Sequence, residues 1–224
     1  MSEFEHGNIS PWGYIYDAES LPALINSTEF AAYTNGKFGT TDTRIASNIK
    51  SATDAIRNYC GWHISPSLTC GMLYNVMNLR DSFIGGDLLI QLPATFVTSI
   101  EKIVLDAVWD NDIEEYIGEE ITDANRIELN SANGLLRIYD VGARDRRSKI
   151  FVKYIAGYSD AEAIKEITTL RVVHALTNPY GVTSEAAGGV SVSYSSAWSG
   201  RANSTALPSE ERETLDAYRV RGVF

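Results

Sequence analysis

The 224-residue sequence has only two cysteines, Cys60 and Cys70, and three histidines, His6, His63 and His174. Two thiols cannot build a disulfide framework, and in a reducing compartment they stay thiols. With so little histidine, any acid–base or metal chemistry must use one of the three or rely on carboxylates alone. No stretch approaches the roughly 20 apolar residues of a membrane-spanning helix. The start, Met1-Ser2-Glu3-Phe4-Glu5-His6, lacks the basic and apolar segments of a signal peptide, so synthesis in the cytoplasm is expected. Positive charge is also short: 19 Lys and Arg stand against 29 Asp and Glu, a net charge of −10. A protein of that balance does not grip nucleic acid through its phosphates, which requires a basic face.

What is present is ordinary for a globular chain: 44% hydrophobic and 21% charged residues, spread along the sequence. One medium domain with extended arms fits that length. The charge is unevenly placed. Between Val97 and Asp123, nine acids (Glu101, Asp106, Asp110, Asp112, Glu114, Glu115, Glu119, Glu120 and Asp123) face only Lys102. From Arg144 to Lys153 the balance reverses, with Arg144, Arg146, Arg147, Lys149 and Lys153 facing only Asp145. These regions are either two solvated faces or complementary patches between neighbouring subunits.

Residues 1–40, with Pro11, Pro22 and few periodic apolar positions, read as an arm with a short helix near Thr28 to Tyr33. Residues 41–178 read as the core domain. There Ile45, Ile49, Ala52, Ile56 and Tyr59 recur at spacings of three and four, which marks one helical face. Thr41 or Asp42 is positioned to cap that helix and Gly61 to end it. From about 68 to 155 the short β-branched runs Leu88–Leu92, Ser99–Leu105, Leu135–Ile138 and Ile150–Ile155 predict a small antiparallel sheet. A second helix carries Ile164, Ile167, Leu170, Val173 and Leu176, with Asp160 as its cap. Residues 179–224 then read as a hairpin through Val190-Ser191-Val192-Ser193-Tyr194, a Ser/Ala/Asn linker, and a short helix from Pro208 to Arg219. On that helix Glu211, Leu215, Tyr218 and Arg219 share a side, and a helix of that length needs support from elsewhere to persist in water. The expected fold class is therefore α+β: a helical adaptor core with an inserted small antiparallel β-sheet, a C-terminal hairpin and a short terminal helix.

Chemistry is sparse. Cys60-Gly61-Trp62-His63 with Cys70 is the best metal candidate, but structural zinc needs four ligands and His174 lies in another helix. A buried thiol beside a helix-end histidine is the favoured reading. Glu114, Glu115, Glu119 and Glu120 lack the alternating oxygens of a calcium loop; a carboxylate-based hydrolase built on them is the remaining enzymatic alternative. Gly188-Gly189 has neither the lysine nor the helix of a nucleotide cradle, and there is no G-x-S-x-G elbow. No catalytic residue, cofactor or metal is expected.

Two stretches carry a family resemblance. Ala52-Thr53-Asp54-Ala55-Ile56-Arg57-Asn58-Tyr59-Cys60-Gly61-Trp62-His63-Ile64-Ser65-Pro66 resembles the first-helix signature of tailed-phage head-tail adaptor (connector) proteins. Asn178-Pro179-Tyr180-Gly181-Val182-Thr183-Ser184-Glu185, then Gly189 to Tyr194, Glu211 and Leu215-Asp216-Ala217-Tyr218-Arg219, is similar to their closing segment. The resemblance implies a structural protein of the virion neck, made in the bacterial host cytoplasm. Its subunits form a heterologous ring, roughly twelve-fold, beneath the portal. The ring binds portal and head-closure or tail proteins, and DNA passes through it without specific binding. No membrane is implied. Another neck part, such as a head-closure or tail-terminator protein, is the alternative. Partner contacts are expected at Val190, Val192 and Tyr194, as a strand added to an edge, and at Leu215, Tyr218 and Arg219 on the terminal helix. The competing reading packs both pieces on their own domain.

Overall fold

The computed structural model describes residues 8–18, 20–39, 42–142, 144–145, 147–177, 184–187, 190–193 and 207–220. In chain order the elements are β1 (Asn8–Ile9), β2 (Ile15–Tyr16), α1 (Ser27–Tyr33), α2 (Thr43–Cys60), β3 (Leu68–Asn75), β4 (Phe83–Ile84) and β5 (Asp87–Gln91). They continue as β6 (Val97–Asp110), β7 (Glu115–Glu120), β8 (Ile127–Asn130), β9 (Leu135–Ile138), β10 (Lys149–Ala156), α3 (Glu162–Thr177), β11 (Ser184–Ala187), β12 (Val190–Ser193) and α4 (Ser209–Leu215). The chain divides into two compact units: Met1–Leu21 with Gly61–Asp160 and Val220–Phe224, and Pro22–Cys60 with Ala161–Arg219.

The first unit is built on β-strands, with two 3-10 helices at Val76–Ser82 and Ala124–Arg126. A six-stranded sheet runs in the order β1-β2-β3-β10-β6-β7 and a four-stranded sheet in the order β4-β5-β9-β8, with every pairing antiparallel. β10 lies inside the larger sheet, and Ile150, Phe151 and Val152 are buried in succession, so both of its faces are covered. Phe151 sits opposite Leu73 on one side and Val104 on the other. The 14-residue β6 is irregular: its register with β7 shifts between Leu105 and Val108, and Asp106 adopts a positive φ of 54° there. Such a bulge bends and twists a strand and re-aims its side chains.

The second unit holds the four α-helices and the β11–β12 pair. Ile45, Ile49 and Ala52 of α2 close a core with Ile25, Phe30 and Val172. Asp42 caps α2 through the Arg44 amide at 2.9 Å. Buried Thr53 accepts the Leu24 amide at 3.2 Å, and buried Arg57 donates to the Pro22 carbonyl at 2.8 Å, which ties the segment before α1 to α2. α1 begins with a reciprocal cap: the Asn26 side chain accepts from the Thr28 and Glu29 amides, while Glu29 accepts from the Asn26 amide, each at 2.9 Å. We expect Asn26→Ala to cost about 1 kcal/mol in urea unfolding. An unchanged midpoint would show that tertiary packing alone holds α1.

The expectation of a helical adaptor core with a small inserted sheet is overturned. The protein is mostly β, with two substantial antiparallel sheets and four α-helices among the described residues. The excess strand lies where the sequence shows no apolar alternation. β7 reads Glu-Tyr-Ile-Gly-Glu-Glu and is largely exposed, being an edge strand that charge protects from stray pairing. β1 and β2 are two residues each, too short to show a period, yet β2 joins the sheet through Ile15 opposite Gly71 and Tyr16 opposite Cys70. The helix spans and the four apolar runs stand where the periodicity places them. No helix among the described residues is long and apolar enough to cross a membrane.

Candidate functional site

His63 is fully buried, and both ring nitrogens are engaged. Nε2 lies 3.1 Å from the Ala156 carbonyl, which can only accept, so Nε2 carries the proton; Nδ1 then accepts from the Tyr14 hydroxyl at 2.8 Å. The Tyr14 oxygen in turn accepts the His63 amide at 3.0 Å. This histidine is a structural node with no lone pair left for a metal. Burial pushes the Cys60 and Cys70 thiols up to about 12, far from reactive thiolates. The Cys60 thiol points at the Leu215 carbonyl, 3.8 Å away. Among the described residues, no group of three or more His, Cys, Asp and Glu is placed to hold a metal ion. His174 lies on α3 with its pKa held below the ordinary value, first by burial and then by the nearby Arg171 charge.

The acidic and basic regions meet within the first unit. Arg144 spans two carboxylates, Asp106 at 2.5 Å and Glu119 at 2.7 Å, while Lys102 reaches Glu115 at 2.8 Å and Glu120 at 3.9 Å. Hydrogen bonding from Ser148, and then from Arg144, holds the Asp106 carboxyl below the usual range. Part of the charge asymmetry read from the sequence is therefore neutralised in place. Glu115, Glu119 and Glu120, three of the four carboxylates considered for hydrolysis, are committed to these ion pairs. Arg147 and Lys149 are exposed beyond them.

The hairpin of β6 and β7 also carries exposed apolar side chains: Val108 is 63% exposed, Ile113 56% and Ile117 42%. Trp109 pairs with Tyr116 edge to face at 5.0 Å, and Tyr116 stacks on Phe151 at 4.4 Å. Against this aromatic side lies a cavity of about 460 Å³, walled by Leu73, Ala107, Trp109 and Tyr116 and bordered by Arg147 and Lys149. Apolar surface ringed by charge marks an interaction surface. Sequence reading misses it because Val108-Trp109 and Tyr116-Ile117 are isolated pairs among the acids between Val97 and Asp123, and only strand pairing brings them together.

The terminal helix is seated on its own unit. Leu215 is fully buried, and Arg171 pairs with Glu211 at 2.8 Å with both side chains only 9% exposed. Tyr59 donates to Asp216 at 2.7 Å, and the Arg219 guanidinium lies 5.1 Å from the Tyr59 ring. Of the expected contact residues, Leu215 faces inward, Tyr218 is half-buried and Arg219 is exposed. Val190 and Val192 lie in β12, paired with Ala187 and Glu185 of β11. Tyr194, the 178–183 turn and the linker up to residue 206 lie outside the described residues.

A model of the head completion protein family matches residues 23–220. The chain belongs to the head completion protein family. The match takes in all four helices and every strand except β1 and β2. The resemblance to phage connector proteins carried by Ala52–Pro66 and the closing segment is thereby borne out. As a head completion protein, the chain is a structural component of a bacteriophage particle. No curated protein matches its sequence.

Proposed function

We propose that this head completion protein is a head-tail adaptor of the virion neck, forming a ring beneath the portal that extends the DNA channel and joins capsid to tail. The family match across residues 23–220 carries the reading. A net charge of −10 supports it physically: a wall that repels phosphates lets DNA pass, whereas an attractive one would act as friction. The partner contacts are Val190 and Val192 of β12, Tyr194 further along the sequence, and Tyr218 and Arg219 after α4. Leu215 acts from within by holding that helix in place.

Electron microscopy of the purified protein mixed with its portal tests the proposal, and rings docked on portal are expected. A chain that stays monomeric at high concentration and ignores portal would overturn it. Cross-linking inside intact particles separates the adaptor from a head-closure or tail-terminator protein, because only the adaptor links directly to portal. Tyr218→Ala with Arg219→Glu should lower the melting temperature only modestly, by the loss of the Arg219–Tyr59 contact, yet weaken portal docking about tenfold or more at a temperature where the variant is folded. Unchanged docking would remove the terminal helix from the contact.

A further inference from the structure

The hairpin of β6 and β7 offers two surfaces whose chemistry is complementary. One is the cavity of about 460 Å³, with apolar walls from Leu73, Trp109 and Tyr116 and a cationic border of Arg147 and Lys149. Asp106 and Asp145 also line it. Asp106 is paired with Arg144 at 2.5 Å, which leaves Arg147 and Lys149 facing the single carboxylate of Asp145, so the border retains positive character. The other surface is the hairpin's tip and outer face. Ile113 stands exposed at the turn between Asp112 and Glu114, and Ile117 is exposed next to Tyr116. Tyr116 walls the cavity together with its cross-strand partner Trp109, whereas Ile117 does not line it and only its cross-strand partner Val108 reaches the cavity's edge. The tip is well defined: the Asp110 carboxylate accepts the Asp112 and Ile113 amides at 2.8 and 3.4 Å. Neither Ile113 nor Ile117 lines the chain's own cavity.

We infer that the β6–β7 hairpin of one copy docks Ile113 and Ile117 into the Trp109–Tyr116 cavity of a second copy, with the acids beside Ile113 against that copy's Arg147 and Lys149. Donor and acceptor are different surfaces of one ribbon, so the contact is heterologous: each copy offers its donor surface to the next, and closure yields a ring. Charge selects the partner. The acids that keep the edge strand β7 from pairing with arbitrary chains become favourable only where a cationic border meets them. This contact rests on the ring reading proposed above and assigns it a surface.

The test uses full-length chains, with portal present if rings need it, and follows assembly by sedimentation and microscopy. Ile113→Asp should weaken ring assembly about tenfold or more, as should Arg147→Glu combined with Lys149→Glu. Both sites are exposed, so circular dichroism and melting should match wild type. An equimolar mixture of the two variants retains one good donor and one good acceptor and should stop at heterodimers. As an independent readout, copies carrying Ile113→Cys and copies carrying Arg147→Cys should cross-link on oxidation when mixed, and neither alone. Both native thiols are buried and do not interfere. Wild-type chains that never associate, with or without portal, overturn both the ring and this contact. Rings that form normally from the Ile113→Asp and the Arg147→Glu/Lys149→Glu chains, with no cross-link, overturn the contact and leave the ring standing.

Discussion

Arg171→Ala should lose about 3–5 kcal/mol of stability at neutral pH, because it strands Glu211 without its cation in a site that is largely shut off from water. The pair is 2.8 Å long with both side chains 9% exposed, and Glu211 Oε1 has no hydrogen-bond partner among the described residues. Burial already raises the Glu211 pKa above its ordinary 4.5, and Arg171 opposes that rise. Removing Arg171 raises it further. The folded variant then holds its proton to higher pH than the unfolded chain does, so between 4.5 and the raised value stability falls as pH increases. The deficit of Arg171→Ala should therefore be large at pH 7 and shrink as the pH drops toward 4.5. Urea unfolding at several pH values measures this. A loss below about 1 kcal/mol that does not change with pH would mean that water reaches Glu211 and that the pair behaves as a surface one. Replacing both partners by Met and Leu should recover most of the stability, since matched apolar groups fill a buried ion-pair site without the desolvation cost. The consequence reaches the proposed docking contact: α4 leads directly into the turn that carries Tyr218 and Arg219.

A second large effect is expected at Gly157, just after β10. Its φ is +116°, and a Cβ there would come within 2.3 Å of the Pro66 carbonyl and 2.8 Å of His63 Nε2. His63 cannot give way cheaply, because that nitrogen donates to Ala156 and the other accepts from Tyr14. The neighbouring backbone is pinned as well: the Gly157 amide donates to Phe96 at 3.0 Å and the Tyr158 amide to Ile64 at 2.8 Å. Gly157→Ala should therefore cost about 3 kcal/mol or more, the sum of an unfavourable backbone conformation and the displacement of this node. Gly142 is the control. It has a positive φ of +73°, but a Cβ added there would meet nothing within 4 Å, so alanine should cost only about 1–2 kcal/mol. Thermal melts of the two variants decide the matter: equal losses would mean the steric contact at Gly157 relaxes freely and His63 is not a rigid node.

The C-terminal helix shows how far sequence reading reaches. The spacing of Glu211, Leu215, Tyr218 and Arg219 places them on one side, and so short a helix is too weak to stand alone in water. It is indeed supported, but by Arg171, Tyr59 and Cys60 of its own unit, residues far away in sequence. His63 gives the converse case. A buried thiol beside a helix-end histidine is legible from Cys60-Gly61-Trp62-His63, whereas the histidine's own burial and its partners Tyr14 and Ala156 are not, because hydrogen-bond pairing has no local spacing to betray it.

The helices, their caps at Asn26 and Asp42, the positive-φ turn at Gly61 and the apolar strands at Leu135–Ile138 and Lys149–Ala156 were determined by the sequence itself. These depend on periods and backbone freedoms that act over a few residues. Only the tertiary structure decided that sheets dominate, that Arg144 and Lys102 neutralise much of the acidic hairpin, and that Trp109 and Tyr116 wall a cavity while Ile113 and Ile117 stand outside it. A two-residue period marks a strand without naming its neighbour, and a charged edge strand shows no period at all. Which charges meet, and which apolar groups stay exposed, depends on pairings between residues far apart in the chain.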